Sequence, residues 1–183
     1  MQICHSNNSV LCLVDIQPRL LSAMDQDEQA ALINNSAKLI QASQQLELPC
    51  LISEQYPSGL GNSHPELLEL ATGAPVIEKT VFSCYSCDDW REQLQTTQRK
   101  QLILAGIEAH ICILQTALES HAAGFEVFVV EDAIASRSFN NKFNAIARLR
   151  TAGVQITNTE SVLFEWLQDA KHPKFKSISK LIS

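Results

Sequence analysis

The chain has no apolar run that approaches the roughly 18–20 residues a membrane-crossing helix needs, so no membrane partner is expected. It lacks a basic excess: 14 Lys and Arg face 20 Asp and Glu, a net charge of −6. A dedicated nucleic-acid binder would show a basic surplus or stripe, so no nucleic-acid partner is expected either. Six cysteines in 183 residues are too few for a disulfide scaffold. They read as reduced thiols in a cytosol-like compartment. Residues 1–9 are polar, with no basic start followed by an apolar core, so no secretory signal is read there and a cytoplasmic location is expected. No repeat, linker or low-complexity segment interrupts the sequence. What remains is an ordinary globular composition, 45% hydrophobic and 19% charged, of a size that suits one domain over residues 1–183.

Short β-rich runs alternate with longer helical patterns. Val10–Asp15, Pro49–Glu54, Pro75–Thr80, Gln101–Ala105, Phe125–Val130 and Val154–Thr157 read as strands. Between them, apolar residues at helical spacing predict helices near Asp27–Glu47, Asp88–Thr97, Ala109–Ala123, Asn140–Thr151 and Glu160–Gln168. Gly124 stands where a C-cap glycine belongs. Tyr56–Pro65 reads as a polar Gly/Pro-rich loop, and Gly106 as the close of the fourth strand. The segment 171–183 holds four lysines and no acid; after Pro173 its Phe175, Ile178 and Leu181 suit one side of a capping helix. Such alternation predicts an α/β three-layer sandwich, a roughly six-stranded parallel sheet with helices on both faces.

Ligands of open α/β sheets bind at the carboxyl ends of the strands. Asp15 ends the first strand, Lys79 ends the third, and Cys112 lies in the first turn of the helix after the fourth. Their chemistry is complementary. A thiol must lose its proton to attack, and an ordinary one titrates near pKa ~8.5. A helix N-terminus and an ammonium favour the thiolate. A carboxylate opposes it electrostatically, yet can take the thiol proton and return it to a leaving group. Either the positive groups prevail at Cys112, or Asp15 is the acceptor in a coupled pair. Each residue also has a plain reading: Cys112 as a small core residue, Asp15 as a turn residue and Lys79 as a solvated charge.

Local motifs bear on that choice. Leu13-Val14-Asp15-Ile16-Gln17, Glu78-Lys79-Thr80-Val81-Phe82-Ser83 and the run from Gly106 through Glu108, His110 and Cys112 to Ala117 resemble, in order, three motifs of the isochorismatase-like cysteine hydrolases. Glu54–Gly61, Glu131–Ser138 and His172–Lys176 resemble the isochorismatase-domain-containing branch more than the nicotinamidases. The resemblance spans nearly the whole chain and implies a Rossmann-like hydrolase fold. It also implies Cys112 as nucleophile, Asp15 as general base and acid, and Lys79 as electrostatic partner. A non-proline cis peptide would map onto Ile107–Glu108, with the Glu108 and Cys112 N–H groups forming an oxyanion hole. The implied reaction is hydrolysis of a small amide or related carbonyl compound through a thioester, by a cofactor-free homo-oligomer.

Metal-binding nicotinamidases carry an Asp-x-His pair after the second strand. Here that stretch is Glu54-Gln55-Tyr56, with only His64 downstream, so no metal is expected. Gln17, Gln55, Tyr56, Phe82, Glu108 and His110 are candidate substrate-binding residues by position, with packing roles as the alternative. Cys84-Tyr85-Ser86-Cys87 has redox-motif spacing in what reads as an exposed loop. Two other functions stay open: vinyl-ether hydrolysis of the isochorismatase type, in which the Asp protonates the substrate, and a non-catalytic binding or assembly role.

Overall fold

A computed structural model describes residues 3–182. In chain order these form β1 (Ser9–Val14), α1 (Pro18–Leu21), α2 (Gln26–Gln45), β2 (Cys50–Gln55), α3 (Pro57–Leu60), α4 (Pro65–Leu70) and β3 (Val76–Lys79). There follow α5 (Asp88–Thr96), β4 (Gln101–Ile107), α6 (Leu114–Ala122), β5 (Glu126–Ala135), α7 (Phe139–Thr151), β6 (Gln155–Thr157), α8 (Thr159–Leu167) and α9 (Phe175–Ser179). The strands make one parallel six-stranded sheet in the order β3-β2-β1-β4-β5-β6.

Successive strand side chains point to opposite faces, and two cores result. Leu11, Leu13, Ile103, Ala105, Phe128 and Val130 pack on one face under Leu39 and Ile40 of α2 and Val162 and Trp166 of α8. Val10, Cys12, Val14, Leu102, Leu104 and Val129 pack on the other under Trp90 of α5, Ala117 of α6 and Leu149 of α7. Burying each large apolar side chain contributes roughly 1.5–3 kcal/mol. That is why the central strands β1 and β4 are near-continuous apolar runs. The buried Trp166 keeps its indole N–H satisfied by donating to Ser9 Oγ at 3.0 Å.

Strand order fixes where chemistry can sit. β1 lies between β2 and β4, and there the chain's outward progression reverses, leaving a crevice at the carboxyl edge. Val14 is in register with both Ser53 of β2 and Gly106 of β4. Gly106 has φ 130°, and a Cβ there would lie 2.0 Å from the Val14 carbonyl oxygen. Only glycine lets β1 and β4 approach this closely at the crevice.

Several boundaries differ from the sequence reading. β4 runs through Gly106 to Ile107. β5 continues past Glu131 and Asp132 to Ala135, with a register shift between Leu104 and Gly106. Neighbouring β4 is long enough to pair with this extension, which the two acids concealed. The loop after β2 winds into α3, and α4 follows directly on Pro65. Both helices, like α1, begin with a proline at the first turn, where its missing N–H costs nothing. Each is under two turns long, too short to leave a periodic signal. The first turn after β4, Ala109–Ile113, is π-helical before α6 begins. α9 places Ile178 in the core with Phe175 and Leu181 against it.

Candidate active site

Asp15 directly follows β1 in a left-handed conformation, φ 54°, which Asp adopts more readily than most side chains. Its carboxylate is fully buried, and both oxygens are held. Oδ2 accepts from Lys79 Nζ at 2.6 Å, and Oδ1 accepts from Ser53 Oγ at 2.7 Å. Lys79, at the end of edge strand β3, reaches across β2 to make this contact, and both side chains of the ion pair have 0% exposure. Its ammonium also donates to Gln55 Oε1 at 2.7 Å and faces the Phe82 and Val81 carbonyls at 3.1 and 3.3 Å. Burial works against the charge on Lys79, but Asp15, Cys84 and Cys112 around it outweigh burial and raise its pKa. The loop after β3 is thereby tied to the ion pair through its own backbone.

Cys112 sits in the π turn that leaves β4, 6% exposed. Its thiol is close enough to Asp15 and Lys79 for both charges to act on it. Asp15 therefore links Lys79 and Cys112 at the crevice between β1 and β4. Burial, and after it the Asp15 charge, pushes the thiol well above the ordinary range, with Lys79 acting in the opposite direction. The expectation that the positive groups prevail at Cys112 is thus corrected: burial and the Asp15 charge together outweigh Lys79 and raise the thiol.

Other candidates are placed differently. Gln17 is fully buried and clamps the loop after β2: its Oε1 accepts from Gln55 N, and its Nε2 donates to the Gln55 and Gly61 carbonyls. Gln55 bridges Lys79 and the Thr80 carbonyl. Tyr56 and Phe82 present exposed side chains, 55% and 53%. The Glu108 carboxylate is bound by the Arg137 backbone N–H and guanidinium. Burial opposes its charge, yet Arg137 and His110 hold its pKa below the usual carboxylate value. His110 lies between Ser136, 3.0 Å from Nδ1, and Asn141, whose amide faces Nε2 at 3.3 Å. The Ile107–Glu108 peptide is cis.

Cys84 and Cys87 are not an exposed pair. Cys84, in the short helical turn Cys84–Ser86, is 0% exposed, and its thiol donates to Ser53 Oγ at 3.3 Å. Burial and the Asp15 charge raise it to about 11. Cys87 contacts the Glu78 carbonyl instead. The turn folds inward because Cys84 N–H donates to Thr116 Oγ1 of α6, a long-range contact without a local signature. Burial also raises Cys50, to about 12, and Cys12. Glu54 accepts from Ser63 N and Asn62 Nδ2. Among the described residues no three His, Cys, Asp or Glu side chains gather as a metal would require. Ser53 and Arg137 escaped the sequence reading as site neighbours, because only the strand order brings them to Asp15 and Glu108.

The isochorismatase domain model matches residues 9–161, most of the chain. The chain belongs to the isochorismatase-like hydrolase family. It is 40% identical over 183 residues to isochorismatase domain-containing protein 2 of Danio rerio, covering 97% of this chain and 88% of that protein. It also superimposes on the MAR1 ribonuclease of Caenorhabditis elegans with a TM-score of 0.92 at 35% identity, covering 99% and 92% of the two chains. The Escherichia coli YcaC product, an octameric hydrolase of unknown specificity, gives a TM-score of 0.92 at 27% identity, over 100% and 90%.

Removing one partner of a buried ion pair strands the other charge, at a cost of roughly 3–5 kcal/mol. Lys79→Met should therefore lower unfolding free energy by about that amount in urea titration. Adding Asp15→Asn should recover a large part of it. A single-variant loss under about 1 kcal/mol, the range of exposed pairs, would mean the pair carries little of the fold's stability.

Proposed function

We propose that the chain is a hydrolase in which Cys112 is the nucleophile, Asp15 the proton carrier and Lys79 its counter-ion, acting on a small amide or related carbonyl compound. The observation that carries this reading is the convergence at one crevice of the Cys112 thiol and a buried carboxylate ion-paired to Lys79. As substrate docks, the thiol proton passes to Asp15 and sulfur attacks the carbonyl carbon. The tetrahedral oxyanion rests on the Glu108 and Cys112 main-chain N–H groups. Asp15 returns its proton to the departing amine, leaving a thioester. It then accepts a proton from water as that water attacks the thioester, and the acid leaves with the thiol restored. Lys79 keeps the carboxylate placed through both half-reactions, and Gln55 and the Phe82 carbonyl hold the lysine.

No metal or organic cofactor enters this cycle. The vinyl-ether alternative has no use for a thiol nucleophile, and Cys112 stands beside Asp15 at the crevice. The C. elegans relative bears a ribonuclease name. Against a polymeric substrate here, Asp15, Lys79 and Cys112 are at most 6% exposed, and the net charge is −6. The decisive assay is a panel of small amides, ureides and esters plus a short RNA, with peptide mapping for an acyl adduct. Turnover of a carbonyl compound with the adduct on Cys112, lost in Cys112→Ala, is the expected result. Cleavage of RNA alone, or turnover that Cys112→Ala leaves intact, would contradict it.

We further propose that the chain self-associates, as its octameric E. coli relative does. Phe139 and Phe143 stack on α7 at 73% and 65% exposure, and Val81 and Phe82 project beside Lys79 at 41% and 53%. Such exposed aromatic pairs mark contact surfaces. Sedimentation velocity should find an oligomer that Phe139→Glu with Phe143→Glu dissociates; a wild-type monomer would refute it.

A further inference from the structure

Resting on the reading of Asp15 as the proton acceptor for Cys112, we propose that Ser53 and Cys84 form a buried hydrogen-bond relay. It positions the Asp15 carboxylate and so governs the acid limb of the reaction at Cys112. Neither residue need touch substrate; both act through Asp15.

The geometry is directional. A serine hydroxyl has one proton to give and two lone pairs to fill. Ser53 Oγ receives the Cys84 thiol at 3.3 Å, and its own proton goes to Asp15 Oδ1 at 2.7 Å. Lys79 occupies Oδ2, so the carboxylate is fixed through both oxygens and cannot swing when the thiol approaches. The relay is buried throughout: Ser53 is 1% exposed, and Cys84 and Asp15 are 0%. Its far end is tied to the nucleophile's own helical segment. Cys84 N–H donates to Thr116 Oγ1 at 2.8 Å, and Thr116 lies one turn beyond Cys112. A movement of that segment is therefore felt at both Cys112 and the back of Asp15.

The titratable groups facing Asp15 are Lys79 from β3, Cys84 from the turn after it, and Cys112 from the π turn, with Cys12 of β1 beyond Cys84. Lys79 is the sole cation among them. Ser53 is the neutral donor to the carboxylate, and donation to the charged form favours that form. Replacing Ser53 by Ala removes one oxygen atom and leaves Oδ1 without its partner. A residue that only fills space would alter stability and leave the pH dependence unmoved.

The test is the pH dependence of iodoacetamide modification at Cys112, followed by peptide mapping with Cys87 as internal control. Wild type and Asp15→Asn establish whether the reaction needs the carboxylate. Ser53→Ala should then move the acid limb upward by about one pH unit, the scale of one hydrogen bond to a charged group. Cys84→Ala should move it the same way by less. Cys84→Ser, which restores a donor to Ser53, should return it to the wild-type position. An Asp15-dependent wild-type reaction whose limb neither alanine variant moves would overturn the relay and leave the Asp15 assignment standing. A wild-type rate that Asp15→Asn leaves unchanged would overturn the Asp15 assignment and the relay together. The Cys84 variants keep the test open should Ser53→Ala fail to fold.

Discussion

Lys79 and Asp15 sit 2.6 Å apart with no solvent on either side chain, at the carboxyl edge of the sheet. Taking two charges out of water costs several kcal/mol each, recovered only where geometry and further hydrogen bonds are good. Much of the surrounding structure supplies those bonds. Ser53 takes the second oxygen of Asp15, while Gln55 and the Phe82 carbonyl take the remaining protons of Lys79. Gln17 pins Gln55 through its backbone. The loops after β2 and β3 owe their paths to this one pair, and the backbone pose of Asp15, φ 54°, aims its carboxylate at it.

A thiol placed beside such a carboxylate is not the pre-ionised nucleophile that a helix start and a lysine would make by themselves. Desolvation and the Asp15 charge both hold the proton on sulfur, and Lys79 is already committed to Asp15. In the proposed cycle, reactivity depends on proton transfer within the pair as substrate arrives. Gly106 allows β1 and β4 to converge beside the cluster.

Strand and helix alternation, both sheet faces and the six strands were legible because each leaves a periodic apolar signal. Asp15 and Lys79 were legible as strand-end residues, and Cys112 as a residue of the turn after the fourth strand, within motifs that resemble those of a known family. What escaped detection depends on strand order or long-range contact. Ser53 becomes a neighbour of Asp15 only once β2 is known to flank β1. Cys84 carries redox-like spacing in the sequence, yet its burial follows from a hydrogen bond to Thr116, 32 residues away. The sign of the shift at Cys112 could not be read from residue types, since helix start, lysine and carboxylate compete and burial is decisive. The π turn, the extension of β5 and the short proline-led helices likewise have no periodic signature.

The resting protonation state of Cys112 is where these features meet. It is measured by the far-ultraviolet thiolate absorbance of the wild-type protein minus that of Cys112→Ser, titrated across neutral pH. The coupled thiol–carboxylate pair predicts no thiolate assignable to Cys112 below the ~8.5 of an ordinary thiol. A thiolate step below neutrality, present in the wild type and absent from Cys112→Ser, would contradict it.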